Sequence, residues 1–257
     1  MLKDKVAIIT GGAQGIGKAI SIRFAQEGAK IAILDLKNSS KTEKEIKNQG
    51  GEVISFISDV ADEKSVKNAF STVLEKWDKI DILVNNAGIY PLENFTDISI
   101  EKVKRVFDTN VIGTFICSQY VANHFKSKEI EGTILNMASA AGFRPDKYHS
   151  HYSASKAAII SLTKAMAMEL LENKIRVNAI APGAISTEGS RNPGLFEDSG
   201  NIPEKFMEMQ MSKMSPLVKG GMGKPSEIAE MALYLVSDKA KYITGSIIPI
   251  EGGRLLL

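Results

Sequence analysis

A single cysteine, a single tryptophan and three histidines leave this 257-residue chain few of the groups on which several function classes depend. One thiol, Cys117, cannot close an intramolecular disulfide or build a cysteine metal cluster. In the apolar stretch Phe115-Ile-Cys-Ser-Gln-Tyr-Val121 it reads as a small core residue and not as a nucleophile. His149 and His151 lie two apart with no carboxylate or cysteine at ligand spacing, so no metal is expected and both read as pocket-edge or surface residues. No apolar run approaches membrane-spanning length, and the N-terminus enters a strand without the basic, apolar and small-residue regions of a signal peptide. The expectation is a soluble, cytoplasmic protein with no membrane partner. A net charge of +2 gives no electrostatic case for nucleic acid, and the lysines of Lys37 to Lys47 are interleaved with Glu43 and Glu45, as on a solvated helix face.

What is present is an α/β alternation. With 44% hydrophobic residues the chain can bury one substantial core, which predicts a single domain over residues 1–257. Val6-Ala-Ile-Ile-Thr10 is a short apolar run of the kind buried on both faces of a parallel sheet, and Lys18 to Gly28 reads as the helix that follows it. Between them stands Gly11-Gly-Ala-Gln-Gly-Ile-Gly17. Glycines let a backbone approach a phosphate closely, and a helix N-terminus offers free N–H groups and a positive dipole end, so Gly11, Gln14, Gly15, Ile16 and Gly17 are candidate pyrophosphate contacts. Ile31 to Asp35 is the second strand, and Asp35 stands 24 residues after Gly11. A carboxylate there can bind the ribose hydroxyls of NAD and repel the extra phosphate of NADP, with helix capping as the alternative role and NADP left possible by the nearby Lys37.

Further strands are predicted at Val53–Ile57, Ile82–Gly88, Thr133–Met137 and Arg176–Ile180. Asp59 either contacts an adenine amine or caps the helix beginning near Glu63. Asn86, Ala87 and Gly88 end a strand where ligands collect on parallel sheets, and Trp77 reads as packing. A long helical region over Ser99 to Phe125 carries Asn110 among apolar neighbours, where a buried amide needs partners. Ser139 follows its strand closely, and Tyr152 and Lys156 are four apart on good helical sequence and so share a face. A tyrosine has an ordinary pKa of about 10, and bringing it near neutrality takes roughly 4 kcal/mol. A cation about 4 Å away supplies that only where water is partly excluded.

Thr10-Gly11-x-x-x-Gly15-x-Gly17, Asn85-Asn86-Ala87-Gly88, Asn110, Ser139, Tyr152-x-x-x-Lys156 and Pro182-Gly183, in this order, resemble the short-chain dehydrogenase/reductase family over nearly the whole chain. The resemblance implies a Rossmann-type, doubly wound seven-stranded parallel sheet with helices on both faces, its last strand at Ser246 to Ile250. It implies that Tyr152 is the acid/base, that Lys156 lowers the Tyr152 pKa and binds the nicotinamide ribose, that Ser139 holds the substrate oxygen and that Asn110 supports a water-linked proton relay. Asp59, Val60, Asn86, Pro182, Gly183, Ile185 and Thr187 would line the cofactor, and residues of about 186–223 would form a substrate lid, apolar through Phe206, Met207, Met209, Met211 and Met214 but with Glu188, Arg191 and Asn192 within it. Ala138 and Glu251 depart from the family's usual serine and aspartate. The expected activity is an NAD-dependent oxidoreductase acting on a small-molecule secondary alcohol, polyol, sugar or ketone. A 3-oxoacyl thioester reductase using NADPH and a non-catalytic dinucleotide-binding regulator are the alternatives. Relatives commonly form homotetramers, and the apolar tail Arg254-Leu-Leu-Leu is then expected in a subunit contact.

Overall fold

The computed structural model describes residues 1–188, 216–217 and 221–256. Its centre is a parallel sheet of seven strands, β1 Val6–Thr10, β2 Lys30–Asp35, β3 Val53–Ile57, β4 Ile82–Asn85, β5 Thr133–Met137, β6 Arg176–Pro182 and β7 Ile247–Ile250, in the order β3-β2-β1-β4-β5-β6-β7. β1, β4 and β5 are apolar and buried along their whole length because helices cover both faces. Two clusters result. One packs Ile20 and Phe24 of helix α1 (Gly15–Gln26) and Ile228 and Leu233 of helix α7 (Pro225–Val236) against one face. The other packs Val66, Phe70 and Val73 of α3 (Glu63–Trp77) and Val121 and Phe125 of α5 (Gly113–Ser127) against the opposite face. The remaining helices are α2 (Ser40–Asn48), α4 (Ile100–Phe107) and α6 (Ser150–Glu169).

The strand order reverses between β1 and β4, so the loops after both open into one crevice at the carboxyl ends of the strands. A buried polar chain ties the middle strands and their helices together. The Asn85 amide donates to Ser118 and to Asn136 at 2.9 Å each, and Asn136 donates to Thr163 at 2.9 Å. Trp77 packs as expected, with its indole N–H donating to Glu52, and Cys117 is fully buried, its thiol pushed up to about 12 by desolvation.

Four expectations need correction. Helix α1 begins at Gly15, three residues before the predicted start, so the glycine loop forms its first turn. The region from Ser99 to Phe125 is not one regular helix, since a π-helical turn at Asp108–Ile112 separates α4 from α5. Such turns widen the helix by one residue and re-aim side chains. Asp59 does not cap α3. It accepts the Ala61 N–H at 2.9 Å, whereas Asp62 holds the cap by accepting the Lys64 N–H. His151 is 4% exposed and therefore no surface residue, because the first turn of α6 faces inward.

Most of the expected lid lies outside the described residues, including Arg191, Asn192, Phe206, Met207, Met209, Met211 and Met214. Its two roots are described: Ile185 bridges Gly223 in parallel, with the Ser186 N–H donating to the Gly223 carbonyl and the Gly223 N–H to that of Ala184, both at 2.9 Å.

Candidate active site

The glycine loop is held from behind. The Asn86 amide donates to the Thr10 and Gly11 carbonyls at 3.0 and 2.9 Å, while the N–H groups of Asn86 and Ala87 both donate to the Thr10 hydroxyl at 3.0 Å. Gly11 has φ of +66°, and a side chain there would meet the Ala87 backbone. A side chain at Gly17 would run into the Gly11 carbonyl, so the helix start can lie directly on the strand end. Gln14 provides no side-chain cap for α1, and its first turn holds no acidic residue. A carboxylate from elsewhere takes the place of an anionic ligand, since the Gly15 N–H donates to Glu188 at 3.0 Å. The first turn of α1 thus presents the Gly15 N–H to a carboxylate, as a helix N-terminus favours. Ile16 packs on the core behind it.

Asp35 sits at the carboxyl end of β2, where its two oxygens accept the N–H groups of Ala13 at 2.9 Å and Lys37 at 2.8 Å. It therefore joins the glycine loop to the loop after β2 and does not cap α2, whose N-cap is Ser39. Lys37 reaches the Gln14 side chain at 3.2 Å. Val60 is buried against Gly113 at the start of α5. Gly183 packs so tightly on Glu251 that an added Cβ would stand 2.7 Å from its Cα, and Ile185 is in the core.

At the other end of the crevice the structure gathers Asn110, Ser139, Tyr152 and Lys156. The Ser139 hydroxyl lies by the Tyr152 phenol, whose pKa it lowers, and accepts the Ala141 N–H at 3.1 Å. Lys156 is 6% exposed, and its ammonium donates to the Met137 carbonyl at 2.7 Å and stands 5.8 Å from the Tyr152 ring centroid. Asn110, carried by the π turn, accepts the Ile89 N–H at 2.8 Å and donates to the Ile89 carbonyl and to Ser155 at 3.0 Å each. It thus fixes the loop after Gly88, where an added Cβ would stand 3.1 Å from the Asn110 Oδ1 and 3.6 Å from the Lys156 Nζ. Burial dominates the electrostatics. It pushes the Tyr152 phenol up to about 12, with Ser139 acting against it, and pulls Lys156 down to about 8.

Three residues to which the sequence reading gave no role beside Tyr152 lie around it. Tyr90 meets the Tyr152 ring edge-on at 6.3 Å and is hydrogen-bonded to Thr187. His149 lies 5.4 Å from Tyr152, ring to ring. Arg254 pairs with Asp146 inside this chain and influences the Tyr152 phenol. No pattern in the sequence marks Tyr90 or Arg254, since each meets Tyr152 only through the fold.

The comparisons agree with this architecture. The family model described as "Enoyl-(Acyl carrier protein) reductase" matches residues 11–254. Glucose 1-dehydrogenase 2 of Bacillus subtilis is 35% identical, covering 99% of this chain and 96% of its own. This chain belongs to the short-chain dehydrogenase/reductase family of oxidoreductases. Another short-chain dehydrogenase/reductase, the 3-oxoacyl-(acyl-carrier-protein) reductase FabG of Thermotoga maritima, is 37% identical over 99% of both chains. The crystal structure of NAD+-bound xylitol dehydrogenase superposes with a TM-score of 0.89 at 31% identity, covering 98% of this chain and 99% of that one.

Proposed function

We propose that this oxidoreductase moves a hydride between NAD and a small molecule bearing a secondary alcohol or ketone, a polyol or sugar among them, with Tyr152 as the acid/base. The observation that carries the reading is the convergence of Ser139, Tyr152 and Lys156 at the carboxyl ends of β5 and α6's inward turn, beside the first turn of α1. The cofactor supplies hydride exchange and, when oxidised, a positive charge. Gly11, Gln14, Gly15, Ile16 and Gly17 would hold its pyrophosphate, Asp35 its adenosine ribose, and Asp59 and Val60 its adenine. Asn86, Ala87, Gly88, Tyr152 and Lys156 would face the nicotinamide half, with Pro182, Gly183, Ile185 and Thr187 closing over it.

Within the chain, Ser139 orients the substrate oxygen toward the Tyr152 phenol, and the phenol gives or takes the alcohol proton. Lys156 keeps the phenol in place and moderates its charge. Asn110 holds the Ile89 backbone and is positioned to support the proton relay. A phenol at about 12 is a weak acid, and the phenolate that would act as base is scarce near pH 7. The proton transfer therefore depends on positive charge close to it, which Arg254 and Lys156, the latter brought by burial to about 8, can supply.

Asp35 favours NAD, because a carboxylate at the ribose hydroxyls repels a phosphate there. The FabG relative supports a second reading, reduction of a 3-oxoacyl thioester. Turnover by the purified protein, followed by nicotinamide absorbance with NAD and NADP against alcohols, polyols, sugars and ketones and with NADH and NADPH against an acetoacetyl thioester, decides between them. Preference for NAD with a polyol, sugar or simple alcohol is expected, and preference for NADPH with the thioester would replace the first reading by the second. Exposed Ile112 and Phe115 on one helix face favour assembly of copies, which we expect to be a homotetramer in the cytoplasm.

A further inference from the structure

Most buried polar side chains among the described residues have a partner. His149 does not. Its Nε2 is out of reach of solvent and meets no hydrogen-bonding atom, although the ring lies against the catalytic tyrosine. An unpaired buried nitrogen is unfavourable by roughly 1–3 kcal/mol. The chain nevertheless holds the ring there. The preceding Tyr148 has φ of +64°, a conformation that side chains other than glycine's rarely adopt, and its carbonyl accepts the Glu93 N–H at 2.8 Å. The His149 N–H donates to the Asp146 carbonyl at 3.3 Å, and Asp146 is anchored by its ion pair with Arg254. Arg144 in turn donates to the Arg254 carbonyl at 3.0 Å.

His151, two residues on, is also buried with both ring nitrogens unpartnered. It lies by Glu93 and Lys102, which bond each other at 2.7 Å. Of the two histidines, His149 is the one whose ring meets that of Tyr152.

We propose that His149 hydrogen-bonds a second, uncharged oxygen of the substrate, carried within two carbons of the reacting carbon, and thereby selects dioxygenated substrates over simple alcohols. The inference rests on the reading of Tyr152 as acid/base, which puts the reacting carbon beside this ring. Desolvation holds the imidazole at about 4, so it is neutral near pH 7 and can both donate and accept. The nearby cation, Arg254, is committed to Asp146. The chamber therefore matches a hydroxyl or carbonyl better than a carboxylate or phosphate. Vicinal and 1,3-diols, hydroxyketones and 3-oxoacyl thioesters all carry such an oxygen, in the last case on the thioester carbonyl.

The test compares kcat/KM for 2-butanol, 2,3-butanediol and 1,3-butanediol with NAD and NADP, and for acetoacetyl thioester against butanone with NADH and NADPH. The intact protein, His149→Phe and His149→Asn are measured, with thermal melts confirming that each is folded. The intact protein should prefer a dioxygenated member of a pair. His149→Phe, which keeps a ring against Tyr152, should lower that preference by roughly 10- to 100-fold, chiefly through KM, and His149→Asn should restore part of it. The pair with the larger preference tells a diol from a thioester as the source of the oxygen. Equal losses on both members of each pair, or a preference for the simple alcohol in the intact protein, would overturn the inference while leaving the tyrosine reading standing. Bound cofactor without turnover of any compound would overturn both.

Discussion

The two ends of the crevice differ in how they treat polar groups. Around the glycine loop, the Asn86 amide bonds the Thr10 and Gly11 carbonyls, the Thr10 hydroxyl accepts the Asn86 and Ala87 N–H groups, and Asp35 accepts the Ala13 N–H, so the loop is held by the chain itself. Around Tyr152, the His149 Nε2, the Ser153 hydroxyl and both His151 nitrogens are buried without partners, and the lysine has only a backbone carbonyl to bond. The first arrangement suits a ligand that many related proteins share. The second leaves desolvated groups beside the reacting position, a pattern that raises reactivity at the expense of stability.

Breaking the unsatisfied end should have the largest effect. Lys156→Met is expected to lower turnover by roughly 10²–10³-fold. It should also stabilise the fold at pH 7, because an ammonium brought from 10.5 to about 8 by burial costs about 3 kcal/mol. The sign follows from proton counting. Between about 8 and 10.5 the unfolded chain holds the proton that the folded chain has released, so the penalty is fully present below about 8 and is relieved as pH rises toward 10.5. Denaturant melts at pH 7 and pH 10 should show this stability rise in the parent and less of it in Lys156→Met. A variant less stable than the parent at pH 7 would mean that losing the bond to Met137 outweighs the desolvation.

At the satisfied end the same logic predicts the opposite sign. Asn86→Ala removes the bonds to Thr10 and Gly11 and should destabilise by about 1–3 kcal/mol while weakening cofactor binding. Urea melts and cofactor titration check both, and an unchanged midpoint would show that the glycine loop holds itself. The smallest effect is expected at Asp35, already bonded to Ala13 and Lys37. Asp35→Ala should change the NAD/NADP preference by about 10-fold through the lost charge, and an unchanged ratio would remove it from the ribose site.

This contrast also explains what the sequence could and could not tell. The strand positions, the glycine loop, Asn86 and the Tyr152–Lys156 spacing are local patterns, so their meaning survives without coordinates. Asp62, not Asp59, caps α3 because the choice turns on one residue's backbone angles, where Asp62 is extended. The π turn at Asp108–Ile112 has no periodic signature, since an apolar helix and its widened version read alike. His149 precedes Tyr152 by three residues at the start of α6, whereas Tyr90 and Arg254 lie far from it in the chain and only the fold brings them around Tyr152. The resemblance placed Lys156 as lowering the Tyr152 pKa, whereas burial dominates both groups in the folded chain.

Tyr152→Phe separates the two ends most directly, because it keeps the ring packed on Tyr90 and His149 and deletes only the hydroxyl beside Ser139. Single-turnover hydride transfer and cofactor affinity should be measured on the same preparation. The account predicts a loss of roughly 10²–10⁴-fold in transfer with cofactor affinity held within about 3-fold. Transfer within about 10-fold of the parent would contradict the assignment of Tyr152 as the acid/base.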